Sequence, residues 1–292
     1  MVTMRFQSVD TLEEALDALA QTGDETQIIA GGTDVMVQHQ RGEIAPEALL
    51  HIERIEGLKS VEANNGYLTI GALITHRYAV TDEVIRQQLP ALSEASATVG
   101  GWQTQEVGTI VGNVVNASPA ADSIPPLLNA GCVVHLSSSS GHRKQALSEF
   151  LVGRRRTTRR PEEIVTAIEV ETVGPRTGEN YIKVGPRSAM EVALIGLAVR
   201  LTIAPDQQTV EDARIAVCSV APVPYRAEEA ELILINSNLS DETVAAAGKA
   251  LEQSANPIDD ARATAAYRRR VLAPLLQRAV NQARSRALEA RS

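Results

Sequence analysis

The 292-residue sequence contains very little cysteine. Only Cys132 and Cys218 are present, far apart in the chain. A disulfide framework needs several cysteines and an iron–sulfur cluster needs four thiolates, so this chain alone can build neither. Both cysteines lie in apolar stretches, which predicts small buried side chains rather than redox thiols. A reducing compartment fits this composition best.

An excess of positive charge and a long hydrophobic run are also missing. The formal net charge is -8, which argues against nucleic acid as a partner. No apolar run approaches the roughly 20 residues that a membrane-spanning helix needs. The opening MVTMRFQSVD has neither the apolar region of a signal peptide nor a twin-arginine motif. We therefore expect a cytoplasmic protein with no membrane span.

Two kinds of site signature are absent as well. The histidines show no metal-ligand spacing, so we predict no metal and expect surface or capping roles for His39, His51, His76, His135 and His142. No Gly-Lys-Ser/Thr motif occurs, and no G-x-G-x-x-G opens a helix after a strand. A nucleotide site in this chain must therefore be of another type.

The N-terminal residues predict a β-α-β unit. A strand is expected around Met4–Phe6, followed by the helix TLEEALDALA, which Thr11 and Glu14 open as a capping box. The next segment, TQIIAGG, predicts a second strand that ends at Gly31 and Gly32.

Further along, the chain alternates short elements. Asn64-Asn65-Gly66 predicts a hairpin, and TDEVIRQQLPALSEASATV predicts a polar helix interrupted by Pro90. GTIVGNVVNASPAAD is interpreted as a second glycine-containing loop, followed by a strand at Cys132–Leu136. PEEIVTAIEVET predicts another strand, and the remainder alternates strands with helices, as in an α+β domain. The turn-rich VGPRTGEN marks the expected domain boundary near residue 175.

Residues 28–38, IIAGGTDVMVQ, suggest an anion site. Glycines after a strand let successive backbone N–H groups point at one position and let a ligand approach the main chain. Alone, Gly-Gly-Thr-Asp is more often a tight turn. The second segment strengthens the functional interpretation, because Gly108 and Gly112 are followed by several small polar residues and by Asp122. Two such loops and one carboxylate can hold a pyrophosphate and a polyol chain.

The pair AGGTD and GTIVGNVVNASPAAD resembles the flavin-binding signatures of the FAD-binding medium subunit of molybdenum hydroxylases, the family of xanthine dehydrogenase and carbon monoxide dehydrogenase. Other segments follow in the order that this family shows, namely LTIGALITH, RRPEEIVTAIEV, YIKVGPR, SVAPVPYRAEEAE and AYRRRVLAPLLQRA. The resemblance covers nearly the whole chain. It implies an α/β plus α+β fold: an FAD-binding domain over 1–175, with subdomains of about 1–55 and 56–175, and a C-terminal domain over 176–292.

The resemblance also implies which residues bind FAD. The backbones of the two glycine segments would hold the pyrophosphate, Ser118 and Asp122 the ribityl and phosphate region, and Tyr181 and Lys183 would lie near the isoalloxazine. A cation there would stabilise the anionic reduced flavin. The candidate residues are Ile29, Ala30, Gly31, Gly32, Thr33, Asp34, Thr109, Gly112, Asn113, Ser118, Asp122, Tyr181 and Lys183.

Two departures from the family pattern affect these expectations. Val111 replaces the first glycine of the usual Thr-Ile-Gly-Gly-Asn, which leaves open how closely the main chain approaches the pyrophosphate there. No histidine stands at Thr33 or just after it, so a covalent histidyl-flavin at this loop is excluded and non-covalent FAD is expected.

The implied function is electron transfer. FAD would take electrons from the [2Fe-2S] clusters of a small subunit and pass them to an external acceptor, while a large molybdopterin subunit hydroxylates the substrate. Such subunits are commonly arranged as a dimer of heterotrimers. Two alternatives stay open: a self-sufficient FAD-dependent oxidase or reductase, and a binding module that has lost the flavin.

One basic segment stands apart from these motifs. GRRRTTRRPEE has five arginines within seven positions. It predicts either a solvated loop balanced by nearby glutamates or a docking patch for an acidic partner.

Overall fold

The computed structural model describes residues 4–187 and 190–290. These residues form three sheets of three, five and four strands, together with a small two-stranded hairpin. Helices cover the sheets, so the α/β plus α+β class expected from the sequence is confirmed.

The N-terminal residues fold as the predicted β-α-β unit. The elements are β1 (Arg5–Ser8), α1 (Leu12–Thr22), β2 (Thr26–Ile29), α2 (Val35–Gln40) and β3 (Ala48–His51). The capping box is present: the Thr11 hydroxyl accepts the Glu14 N–H at 3.2 Å, and the Glu14 carboxylate accepts the Thr11 N–H at 3.3 Å. β3 lies between β1 and β2 and runs parallel to both, a third strand that the sequence did not indicate.

The second sheet is antiparallel throughout. Its strands are β4 (Val61–Asn64), β5 (Tyr67–Gly71), β6 (Val133–Ser138), β7 (Gly141–Ala146) and, later in the chain, β10 (Ile164–Glu171). They are arranged in the order β4-β5-β10-β6-β7. The predicted hairpin joins β4 to β5 through Asn65 and Gly66, whose φ values of 48° and 82° suit a two-residue turn that follows the twist of the strands.

Six short helices separate β5 from β6. They are α3 (His76–Thr81), α4 (Glu83–Gln88), α5 (Pro90–Ala97), α6 (Trp102–Val107), α7 (Ile110–Asn116) and α8 (Ile124–Asn129). The interruption at Pro90 is confirmed, because proline is the first residue of α5 and α4 ends two residues before it.

The prediction of a loop over GTIVGNVVNASPAAD is wrong in its first half. Ile110–Asn116 form the helix α7, which Thr109 opens by accepting the Gly112 N–H at 2.9 Å. The buried Ile110, Val111 and Val114 share one face of this helix. Packing of that face stabilises a helix that glycine, asparagine and β-branched residues disfavour locally.

A small unit links β7 to β10. It consists of α9 (Leu147–Phe150), β8 (Leu151–Gly153) and β9 (Arg156–Thr157), and β8 pairs with β9 as an antiparallel hairpin. The arginine-rich segment lies at the tip of this hairpin and in the residues that follow.

The C-terminal part is a four-stranded antiparallel sheet with three helices. Its elements are β11 (Thr177–Val184), β12 (Ile195–Ile203), β13 (Val210–Cys218), β14 (Tyr225–Arg226), α10 (Glu228–Leu234), α11 (Asp241–Ser254) and α12 (Ala265–Glu289). The strands are paired in sequence order. Strands β12 and β13 and the three helices enclose one apolar core, distinct from a larger core formed by the preceding residues together with Ala216 of β13.

The domain boundary at residue 175 stays a prediction, as does the division near residue 55. The separation of the two apolar cores supports the first, and the change of sheet after β3 supports the second. Across the described ranges, no helix is both long and apolar enough to cross a membrane.

Candidate cofactor-binding site

A cavity of about 810 Å³ lies beyond the carboxyl end of β2. That edge of a parallel sheet is a usual place for ligand sites, and the volume falls within the roughly 300–1,000 Å³ of small-molecule sites. Ten of the thirteen candidate residues line it: Ala30, Gly31, Gly32, Thr33, Asp34, Thr109, Gly112, Asn113, Ser118 and Asp122. Ile29, Tyr181 and Lys183 do not.

The first glycine segment connects β2 to α2. A Cβ atom on Gly31 would overlap the Val107 carbonyl oxygen, so this backbone packs directly against the residues that precede α7. Gly32 has a φ of 68°, which only glycine adopts without strain. The backbone N–H groups of Gly32, Thr33 and Asp34 donate to no acceptor within the described chain. Successive free donors of this kind form a concave anion-binding nest.

The second segment presents the start of α7 to the same cavity. A Cβ on Gly108 would lie 2.7 Å from the Thr104 carbonyl oxygen, and one on Gly112 would lie 2.7 Å from the Thr109 hydroxyl. Both positions are therefore too crowded for a side chain. Val111 is only 3 % exposed and belongs to the main core. Val111 also lines the cavity, at the position where the family has a glycine.

Asp122 is a buried carboxylate that accepts hydrogen bonds from two side chains of strand β11. The Tyr181 hydroxyl donates to one carboxylate oxygen at 2.6 Å, and the Lys183 ammonium donates to the other at 2.9 Å. Burial raises the pKa of Asp122, while Lys183 opposes that rise. Lys183 also donates to the Thr98 and Glu191 carbonyls, so its three N–H groups are all used. Tyr181 and Lys183 therefore do not line the cavity themselves and affect it only through their hydrogen bonds to Asp122.

His76 is a lining residue that the sequence did not reveal. The expected surface or capping role is wrong for this histidine, which is 2 % exposed and lines the cavity. Burial lowers the pKa of His76 to about 4, so the ring is neutral near pH 7. Its Nδ1 lies 3.3 Å from the Ser96 hydroxyl. The other four histidines are exposed or half-buried.

Arg155 and Arg159 also line the cavity. The Arg155 guanidinium pairs with Glu43 at 2.9 Å and opposes the burial that raises the pKa of Asp34. Arg155 is exposed, as are Arg154, Arg156 and Arg160, but the last three do not line the cavity. Two arginines of the segment therefore line the cavity, and the other three are free of it and available for docking. The sequence alone does not show which arginines belong to which group.

These features fit an extended, polar, anionic cofactor. Free backbone donors and two guanidinium groups suit a diphosphate, and the Asp122 oxygens suit a polyol. The donor set does not suit a metal: no group of three or more His, Cys, Asp or Glu side chains in residues 4–187 and 190–290 could hold one.

Comparison with known proteins agrees with this geometry. A family model described as the FAD binding domain in molybdopterin dehydrogenase matches residues 2–171, more than half of the chain. The chain belongs to this family. A second model, the CO dehydrogenase flavoprotein C-terminal domain, matches residues 180–283.

Individual relatives match this flavoprotein along nearly its whole length. The 6-hydroxypseudooxynicotine dehydrogenase complex subunit alpha of Paenarthrobacter nicotinovorans is 33% identical over 95% of this chain and 93% of that protein. The carbon monoxide dehydrogenase medium chain of Hydrogenophaga pseudoflava is 28% identical over 98% and 99%. A solved structure of carbon monoxide dehydrogenase from the same organism superposes with a TM-score of 0.93 at 27% identity, covering 97% and 98% of the two chains.

The resemblance inferred from the sequence is therefore confirmed. This molybdenum hydroxylase flavoprotein carries the FAD-binding domain of its family and is an oxidoreductase subunit of the medium, FAD-binding type. The roles of individual residues toward FAD stay predictions.

Proposed function

We propose that this chain is the electron-transfer subunit of a multi-subunit molybdenum hydroxylase. It accepts electrons from the [2Fe-2S] clusters of a small partner subunit and passes them through non-covalent FAD to an external acceptor. A large molybdopterin subunit hydroxylates the substrate. The observation that carries this proposal is the single cavity in which both glycine segments and Asp122 come together.

Within that cavity each group has an assigned task. The free N–H groups of Gly32, Thr33 and Asp34 would hold the diphosphate, and Thr109 and Gly112 at the start of α7 line the same cavity. Ser118 and Asp122 bind the ribityl region. Lys183 and Tyr181 orient the Asp122 carboxylate, so their influence on the flavin is transmitted through that group. When bound, FAD supplies a store for two electrons that can leave singly or together.

The cysteines support the assignment of the clusters to another chain. Burial raises the pKa of the Cys218 thiol to about 12 and that of Cys132 still further. A cluster ligand must be a thiolate, and four are needed. The clusters of the proposed electron path therefore lie in another chain, which we take to be the small subunit.

The proposed assembly is a dimer of heterotrimers in the cytoplasm. Electron tunnelling needs the flavin edge close to a cluster, so one face of this chain is a permanent interface. The exposed Arg154, Arg156 and Arg160 are proposed as part of it, because they present positive charge to an acidic partner.

Expression of the chain with and without its neighbours tests this proposal. The isolated chain should be yellow and reducible by dithionite, yet inert toward purines, aldehydes and N-heterocycles. Co-expressed with the small and large subunits, it should copurify with them in a fixed ratio. Turnover of any such substrate by the isolated chain would instead favour a self-sufficient flavin oxidase or reductase.

A further inference from the structure

Two arginines of the run at residues 154–160 supply the positive charge of the cavity wall. Arg155 and Arg159 line the cavity together with the carboxylates of Asp34, Glu43, Asp122 and Glu191. No lysine or other arginine lines it among the described residues, and His76 is neutral near pH 7. Without these two guanidinium groups, an anionic ligand would face only negative side-chain charge.

Arg155 is placed by a backbone conformation that is unfavourable for a side chain. Its φ is 53°, in the left-handed region, and its N–H donates to the Ala117 carbonyl at 2.9 Å. Ala117 ends α7, also with a left-handed φ of 46°. The turn that carries Arg155 is thereby tied to the helix whose start carries Thr109 and Gly112.

Both guanidinium groups retain unused donors. Arg155 uses only Nη1 on the protein, to Glu43. Arg159 also uses only Nη1, which donates to the carbonyls of residues 160, 161 and 163. The Nε and Nη2 atoms of both residues donate to no group in the part of the chain that the structure describes. A planar guanidinium with two free nitrogens suits a phosphate, which it can bind through two parallel hydrogen bonds.

We propose that Arg155 and Arg159 bind the diphosphate of the dinucleotide and give the cavity its affinity for the adenosine diphosphate half of FAD. This inference rests on the proposed function, because it takes FAD as the ligand. Since these side chains act on the diphosphate itself, free ADP competes with FAD and depends on the same two arginines.

A purely structural role for Arg155 predicts a different result. The ion pair with Glu43 joins the residues after α2 to the β8–β9 hairpin. If Arg155 acted only through that pair, removal of the Glu43 carboxylate would weaken FAD binding as much as removal of the guanidinium. If Arg155 binds the diphosphate, Glu43→Gln leaves FAD binding unchanged or tightens it, because a nearby negative charge is lost.

The test is a titration of the full-length apoprotein with FAD, followed by flavin fluorescence, and displacement of FAD by ADP. Arg155→Ala and Arg159→Lys are the test variants; the lysine keeps a donor for the three carbonyls but loses the planar fork. Arg154→Ala is the matched control, since Arg154 is adjacent to Arg155 but does not line the cavity. Circular dichroism and thermal melting check that each variant is folded.

We expect Arg155→Ala and Arg159→Lys each to lower the affinity for both FAD and ADP roughly 10- to 100-fold, the range expected for a lost charged hydrogen bond. Arg154→Ala and Glu43→Gln should bind both ligands at least as well as the wild type. Wild-type affinity in both test variants, or an equal loss in Glu43→Gln, would overturn the inference while leaving FAD binding intact. Failure of the wild type itself to bind FAD would instead refute the proposed function.

Discussion

At Gly32 the backbone has a φ of 68°, and an added Cβ would lie 3.0 Å from the Ile29 side chain. Gly32→Val should therefore destabilise the fold by about 1–2 kcal/mol through backbone strain and displace the N–H groups that we assign to the diphosphate. The measurements are the melting temperature and the FAD content of the purified chain.

Gly42→Val is the control for that substitution. Gly42 has nearly the same φ, 69°, but has open space around its Cβ position and does not line the cavity. Both variants should have a lower melting temperature than the wild type, and only Gly32→Val should lose FAD. Equal FAD content in the two variants would show that the first glycine segment does not bind FAD.

His76 confers a pH dependence on stability. Its pKa is lowered from 6.5 to about 4 by burial, so between these values the unfolded chain binds a proton that the folded protein does not. The stability contributed by the neutral ring is fully present above pH 6.5. It is lost as the pH falls toward 4, by up to about 3 kcal/mol.

Urea denaturation at several pH values tests this prediction. His76→Gln should flatten the dependence between pH 6.5 and 4. An unchanged slope in His76→Gln would show that other groups cause the acid sensitivity.

At the scale of single elements, Thr109 both caps helix α7 and lines the cavity, so a change there should affect stability and FAD binding together. Thr109→Ala removes the hydroxyl that accepts the Gly112 N–H and should cost about 1 kcal/mol. Thr264 caps α12 in the same way, with its hydroxyl 3.2 Å from the Tyr267 nitrogen, and does not line the cavity. Thr264→Ala should therefore lower the melting temperature similarly but keep wild-type FAD affinity. Loss of FAD affinity in both variants would indicate a general effect of destabilisation.

Strand β11 supports the site through a buried ion pair. Lys183 and Asp122 are each 8 % exposed in their side chains, so Lys183→Met leaves a buried carboxylate without its partner. We expect a loss of about 3–5 kcal/mol in the free energy of unfolding, together with weaker FAD binding. Lys144→Met is the comparison, because the Lys144–Glu169 pair is far more exposed and should contribute little. Similar unfolding energies for the two variants would contradict the role given to this pair.

Elements with strong local signals were predictable from the sequence, and elements stabilised by distant contacts were not. The capping box at Thr11 and the turn at Asn65 and Gly66 use interactions between near neighbours. Helix α7 was mistaken for a loop because its residues favour turns locally, while burial of Ile110 against distant residues stabilises the helix. β3 was missed because its pairing joins residues far apart in the chain.

The site shows the same limit. Its glycine segments could be recognised because their residue types are specific to the backbone conformation they allow. The position of Arg155 and Arg159 at the cavity wall depends on a hairpin that no local pattern reveals, and the burial of His76 depends on neighbouring helices. The sequence analysis placed Lys183 near the isoalloxazine and Asp122 at the ribityl region, and it did not reveal that the Lys183 ammonium donates to Asp122 and two carbonyls.

On the scale of the whole molecule, the cavity wall is assembled from separate parts of the fold. The residues after β2, the start of α7 and the β8–β9 hairpin contribute, and so do residues 190–192, just before β12 of the C-terminal sheet. A ligand that binds only this assembled state stabilises all of them together. Saturating FAD should thus raise the melting temperature of the whole chain in a single transition.

The central claim is that this cavity holds one non-covalent FAD per chain. Acid precipitation of the purified full-length chain, followed by chromatography of the supernatant against FAD and FMN standards, tests it most directly. We predict one equivalent of FAD in the supernatant and a colourless pellet. Flavin retained in the pellet, FMN in place of FAD, or a chain that neither purifies with FAD nor takes it up would contradict the account.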